Sequence, residues 1–302
     1  MSSNTTAAEW TRRRERGSAS FMRFVAWLAI AMGRGASRAL LLRPVSLYFF
    51  VTAGAARRHA AHFLTRALGR PPTLGEEWRH FLAFCSTVHD RVYFLRGRFD
   101  LFDVKVQGAE LLGQEGGALL MGGHIGSFEA LRACGREMGK RRVAMAMYQV
   151  TANLHDVLAG ISPQSASDIV ALGRPQSMIE LATCMEEGAL VGILGDRTRG
   201  DEPVVRMPFL GAEAPLPIGP MRVAAALRAR VIFMAALYRG GNRYEVRFEP
   251  VADFGKVDSM TRGERDAAVR EAIAEYVRRL EKCARDAPDN WFNFHDFWGG
   301  TP

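Results

Sequence analysis

In the segment Gly122-Gly123-His124-Ile125-Gly126-Ser127-Phe128-Glu129 an imidazole and a carboxylate stand five positions apart among small residues. An imidazole held through one nitrogen by a carboxylate is a general base, because the carboxylate fixes the ring and stabilises the imidazolium that forms. On a continuous helix, five steps of about 100° would place the two side chains roughly 140° apart, out of reach of one another. A turn at Gly126 removes that obstacle: Glu129 can fold back to one ring nitrogen while the other faces a substrate hydroxyl. Gly123 and Gly126 keep bulk away from the ring, and the backbone amides from Gly122 to Gly126 are candidates for stabilising an oxyanion. Ser127 is a candidate N-cap, placing Glu129 in a first helical turn where the helix dipole favours negative charge. Most isolated H-x4-E pairs are a satisfied loop histidine beside an unrelated surface glutamate, and the spacing alone does not exclude that reading.

Further polar residues fall at the ends of apolar runs. Arg174 follows Val170-Ala171-Leu172-Gly173, and Gly195-Asp196-Arg197-Thr198-Arg199 follows the run at 190–194. The guanidinium groups of Arg174, Arg197 and Arg199 are candidates for holding a phosphate, with a solvated basic loop as the bland alternative. Asp196 either joins the site or orients an arginine, and Asn153 either bonds an acceptor or caps a helix. His155 and His295 read as structural. No G-x-S-x-G elbow, G-x-G-x-x-G, P-loop or H-E-x-x-H is present, which argues against a serine hydrolase, the common nucleotide folds and the zincins. The cysteines Cys85, Cys134, Cys184 and Cys283 form no C-x-x-C pair and imply neither a metal site nor a disulfide framework.

The elements that must carry these residues alternate. Short apolar runs at 102–106, 118–121, 143–148, 169–172, 190–194, 231–237 and 244–248 are separated by helical patterns at 127–138, 176–187 and 219–228. A long amphipathic helix is expected at 262–285. This predicts an α/β fold: a mixed, mostly parallel central sheet flanked by helices, with strands buried on both faces where the runs are continuous. Tyr244 to Phe248 alternates instead, as an edge or half-exposed strand does. Three stretches are distinguished: a flexible basic tail at 1–20, an N-terminal helical, membrane-associating region at 21–97, and an α/β core at 98–302 continuous with those helices.

Lysine and arginine together number 40 against 32 aspartates and glutamates in 302 residues, a formal net charge of +8 carried mainly by arginine. Such a balance favours phosphate groups, anionic lipid or acidic protein partners, and no recognition-helix or zinc signature supports nucleic acid. The apolar stretch at 21–32 holds Arg23 and is too short to span a bilayer, which takes about 20 apolar residues. That at 39–55 is broken by Arg43-Pro44. With Trp27, Tyr48, Phe49 and Phe50 as anchors and arginines beside them, the pair reads as interfacial helices, ordinary core helices being the alternative.

Gly-His-Ile-Gly-Ser-Phe-Glu resembles the H-x4-D/E block of the lysophospholipid acyltransferase superfamily, specifically the lauroyl and myristoyl transferases of lipid A biosynthesis. Gly173-Arg174 with Glu187 to Asp196 resembles the family's second conserved region, Val205 to Gly211 through Pro215 its third, and Trp291 to His295 its aromatic end. Asp196-Arg197 replaces the usual Asp-Gln, and Pro215, Pro217 and Pro220 crowd the helix after the third block, so the chain looks like a divergent member. The resemblance implies a lipid-biosynthetic O-acyltransferase at the cytoplasmic face of the bacterial inner membrane, monotopic or peripheral, without a cofactor. His124 would be the general base oriented by Glu129. Acyl carrier protein or coenzyme A would bring the acyl thioester, the basic surface favouring the acidic carrier protein, and a lipid or glycolipid would accept. Gly123, Gly126, Ser127, Asn153, Arg174, Asp196, Arg197 and Arg199 would line the substrate site. A non-catalytic lipid- or carrier-binding protein, and an N-acyltransferase forming an aminolipid, remain as alternatives.

Overall fold

The computed structural model describes residues 19–130, 141–148, 169–173, 176–198 and 202–299. Arg174, Arg199 and Asn153 lie outside the described residues, as do positions 1–18 of the stretch expected as a tail, whose positions 19 and 20 instead open the first helix, and most of the helix expected at 127–138. The chain opens with helices: α1 (Ala19–Ser37), a π-helical turn (Arg38–Leu42), α2 (Arg43–Thr52), α3 (Gly54–Leu68) and α4 (Leu74–Leu95). The break expected at Arg43-Pro44 is instead a beginning. Pro44 sits in the first turn of α2, where its missing N–H leaves no bond unmade, and the π turn leads into it. Thr73 and Glu76 start α4 with reciprocal side-chain-to-backbone bonds.

Seven strands then form one sheet: β1 (Asp103–Gln107), β2 (Ala118–Gly122), β3 (Val143–Tyr148), β4 (Ile169–Leu172), β5 (Leu190–Leu194), β8 (Arg230–Tyr238) and β9 (Arg243–Asp253), ordered β1-β9-β8-β2-β5-β3-β4. The β8–β9 hairpin is antiparallel and every other neighbour pair is parallel. The expected mixed, mostly parallel sheet is therefore present. The alternating strand β9 is half-buried but not an edge, since β1 covers its outer side. A separate hairpin of β6 (Val204–Phe209) and β7 (Ala212–Pro217) was not foreseen from its proline-rich sequence. Later helices among the described residues include α5 (Gln176–Glu186), α6 (Gly219–Ala226) and α7 (Arg262–Asp286).

The continuous apolar runs are buried on both faces because successive residues alternate between two cores. Leu119, Met121, Val191, Ile193 and Phe233 join one core with Ile273, Tyr276, Val277 and Leu280 of α7. Ala118, Leu120, Leu190 and Met234 join the other, with Phe94 of α4. The expected stripe of α7 is thus the face that docks on the sheet.

The N-terminal helices are fastened to the α/β core through Asp90 of α4. Its carboxylate, fully buried, receives Arg34 of α1 through Nε and Nη2, each at 2.9 Å, and the Tyr244 hydroxyl of β9 at 2.8 Å. Burial opposes ionisation of Asp90, but His89, Arg34 and Tyr244 outweigh it and hold the carboxyl below its ordinary range. Outside this contact, the helical region leaves an apolar surface: Trp27, Leu40, Leu47, Tyr48 and Val51 are each more than half exposed. Among the described residues no single helix is long and apolar enough to cross a membrane; the helical stretches at 27–52 and 54–68, bent by 94°, meet that test only as a pair.

Removing Arg34 leaves the Asp90 charge buried without its main counter-ion, so Arg34→Ala should cost about 3–5 kcal/mol near neutral pH. Asp90 has a depressed folded pKa, so its contribution is present above the unfolded pKa and fades as pH falls through the folded one. The wild-type and variant denaturation midpoints should accordingly converge in acid; a pH-independent gap would contradict this role of the pair.

Candidate active site

Strands β2 and β5 are parallel neighbours in which Gly122 stands opposite Leu194. His124 and Asp196 each lie two residues past these partners, so the register delivers them side by side at the carboxyl end of the sheet. The bond from Gly195 N to Gly122 O, 2.9 Å, carries the ladder one step beyond the strands. His124 Nδ1 lies 2.7 Å from Asp196 Oδ1, and the His124 backbone N–H donates to Oδ2 at 2.8 Å. Trp291 Nε1 donates to the same Oδ2 at 2.9 Å. The Asp196 side chain is 2% exposed and that of His124 is 31% exposed. Among the described residues no hydrogen bond reaches Nε2 of His124, so the buried carboxylate backs one nitrogen of a partly exposed ring.

The expected carboxylate is not the one that reaches the ring. Glu129 is buried with its Oε1 2.6 Å from Arg91 Nε of α4, and no hydrogen bond among the described residues joins it to His124. The reason is the path of the turn. Gly126 and Ser127 are drawn toward β8 and the C-terminal tail by bonds from Gly126 N to Asn290 O at 2.9 Å and from Ser127 N to Ala236 O at 2.8 Å. The helix that follows carries Glu129 toward α4. The expected turn and cap are both present: Gly126 has φ 67°, and Ser127 Oγ accepts from Ala130 N at 3.3 Å. The amides of His124 and Gly126 are committed to Asp196 and Asn290, which removes both from the set considered for an oxyanion.

Small residues make these contacts possible. A Cβ on Gly123 would come within 3.2 Å of the Asp196 carboxylate and 2.9 Å of Leu280, and one on Gly126 would meet Ala236 O at 1.8 Å. The tail closes the site from the other side. Phe292 N donates to His124 O at 2.8 Å, and Arg197 Nη2 donates to Phe292 O at 3.1 Å. Arg197 therefore turns into the fold instead of fringing a solvated loop.

Electrostatics follow from burial. Desolvation, assisted by the Arg197 charge, lowers the His124 pKa below its ordinary value, while Asp196 pulls the other way. Burial penalises the Asp196 carboxylate, yet His124 and then Arg197 outweigh that and hold it ionised far into acid. His295, which the sequence placed among structural residues, feels the same charges: burial and then Arg197 push it down to about 3. Among the described residues no group of three or more histidine, cysteine or carboxylate side chains is arranged to hold a metal ion.

A strand-end histidine backed by a buried carboxylate, on a mixed sheet flanked by helices, is an arrangement compatible with an α/β transferase. Residues 95–299 match the family model described as bacterial lipid A biosynthesis acyltransferase, and the chain belongs to that family. The protein is an acyltransferase, and the family's reaction is acyl transfer to a lipid acceptor. Comparison with curated proteins finds no match. Among solved structures it is similar to the 1-acyl-sn-glycerophosphate acyltransferase PlsC from Thermotoga maritima, at 16% identity over 81% of this chain and 96% of that one, with a TM-score of 0.38.

Two features of the site were missed at the level of sequence: Asp196, already a candidate site residue, was not paired with His124, and Trp291 was given no place in the site. Asp196 follows a buried run and a glycine just as His124 does, and this parallel between neighbouring strand ends was the available signal. Trp291 had none beyond its unusual place in an aromatic terminus. Gly126→Ala tests the turn: it combines left-handed backbone with a backbone clash and should cost more than about 4 kcal/mol in denaturant unfolding, or prevent folding. A variant melting like wild type would refute the tight passage beneath Ala236.

Proposed function

We propose that the protein transfers a fatty acyl chain from an acyl thioester to a hydroxyl of a lipid or glycolipid, with His124 as general base and Asp196 as the carboxylate that orients it. The observation carrying this reading is the 2.7 Å contact of His124 Nδ1 with a buried Asp196 beneath a partly exposed ring. Nε2 of the neutral imidazole takes the proton of the acceptor hydroxyl as its oxygen attacks the thioester carbonyl. The tetrahedral adduct collapses with cleavage of the C–S bond, and the imidazolium returns its proton to the departing thiolate, giving an ester and a free thiol. Asp196 favours the Nδ1–H tautomer and stabilises the ring while it is charged. Glu129, paired with Arg91, supports the helix that follows the turn.

The net charge of +8 supports an acidic acyl carrier protein as donor over coenzyme A, through attraction of opposite charges. The exposed apolar side chains of α1, the π turn and α2, with Arg43 beside them, support docking at the cytoplasmic face of an anionic inner membrane without spanning it. Lipid A is the acceptor that the family description suggests.

Purified protein should be incubated with radiolabelled acyl carrier protein and inner-membrane lipid extract. His124→Ala should abolish transfer, and Asp196→Asn, which removes the charge and misorients the ring, should lower kcat by up to about 10⁴-fold. Glu129→Gln should lower it far less if that carboxylate acts through Arg91. Full transfer by His124→Ala would overturn the mechanism; unimpaired binding of carrier or lipid by an inactive wild type would favour the non-catalytic reading.

Because the neutral ring is the active form and burial favours it, the acidic limb of kcat/KM should lie below the ordinary histidine value of about 6.5. In a separate measurement, Leu47→Asp with Val51→Asp should weaken flotation with vesicles containing phosphatidylglycerol while leaving transfer to a detergent-dispersed acceptor intact. Unchanged flotation would remove α2 from the docking surface.

A further inference from the structure

Asp196 is backed by more than the histidine it serves. Its Oδ1 is given to the His124 ring, whereas Oδ2 accepts two donors, the His124 backbone amide at 2.8 Å and the Trp291 indole at 2.9 Å. The amide belongs to the loop that carries the catalytic ring, so it cannot fix the carboxylate independently of that loop. The indole can. Trp291 is fully buried, packed edge-on against Phe63, Phe209 and Phe297 at ring separations of 4.8, 5.1 and 4.8 Å, and its backbone is bridged to Ile125. Asn290, the residue before it, is fastened to Tyr238 through both side-chain atoms, at 2.6 and 3.1 Å. An indole clamped on this many sides offers its one N–H in a single direction, toward Oδ2.

We infer that Trp291 is a positioning residue of the reaction: its indole N–H locks the rotation of the Asp196 carboxylate so that Oδ1 meets His124 Nδ1, and it tempers the basicity that the carboxylate presents to the ring. The inference rests on the base role of His124 proposed above. A hydrogen bond to an ionised carboxylate withdraws charge from it, so an Asp196 relieved of the indole donor becomes a stronger acceptor. A stronger acceptor stabilises the imidazolium, and the His124 pKa rises. The indole therefore works in the same direction as burial and Arg197, keeping the resting imidazole neutral. The C-terminal segment is thereby part of the catalytic apparatus, joined to it again where Phe292 N meets His124 O.

Packing and hydrogen bonding at Trp291 are separated by replacing it with benzothienylalanine, which keeps the bicyclic shape and substitutes sulfur for the N–H, alongside Trp291→Phe and His124→Ala. The benzothienyl protein should melt near wild type, lose about tenfold to a hundredfold in kcat, the loss usual for an outer partner that orients a functional imidazole, with KM little changed. The acidic limb of its kcat/KM profile should move to higher pH. Trp291→Phe should show the same direction of shift with a larger loss of stability. A benzothienyl protein with wild-type kcat and an unmoved acidic limb would overturn the role of the indole, provided His124→Ala is inactive. Activity retained in His124→Ala would instead overturn the underlying mechanism, so the two failures read out differently.

Discussion

A carboxylate taken out of water costs several kcal/mol unless donors replace its hydration, and Asp196 is such a group. Its three donors come from the His124 ring, the His124 amide and the Trp291 indole, which belong to two widely separated stretches of chain. Much of the surrounding structure is arranged around that requirement. Strands β2 and β5 are neighbours in the observed register, a Cβ at position 123 would crowd the carboxylate at 3.2 Å, and the chain after α7 returns across the carboxyl end of the sheet. Tyr276 of α7 reaches the same strand end, donating to Gly122 O at 2.9 Å.

How much of this was legible follows from the range of each interaction. The strands at 143–148, 169–172 and 190–194 were readable because a run buried on both faces is a local pattern, and the helices because one apolar stripe is too. The turn at Gly126 and the cap at Ser127 were readable because turn and cap chemistry acts over a few residues. The partner of His124 was not, since Asp196 is 72 positions away and sequence spacing favoured the carboxylate at hand. Trp291 is further still, 95 positions from Asp196. Pro44 was misread for a different reason: the same residue that breaks a helix interior is tolerated in a first turn, and only the backbone around it decides. The β6–β7 hairpin shows the same ambiguity, its prolines Pro208, Pro215 and Pro217 lying within an isolated pair of strands where unmade ladder bonds are tolerated.

Glu129 changes meaning once its partner is known. Paired with Arg91, it joins the helix after the Gly126 turn to α4, which Asp90 in turn joins to α1 and β9. The tail meets α4 from the opposite direction, with Phe84 packed edge-on against Phe292 and Phe294 at 5.3 and 5.2 Å. The N-terminal helices and the C-terminal tail therefore converge on the loop that follows β2. The apolar surface of the N-terminal helices is continuous, through α4, with the loop that carries His124. The exposed apolar side chains of the N-terminal helices and the His124–Asp196 pair therefore belong to one connected framework, joined through α4.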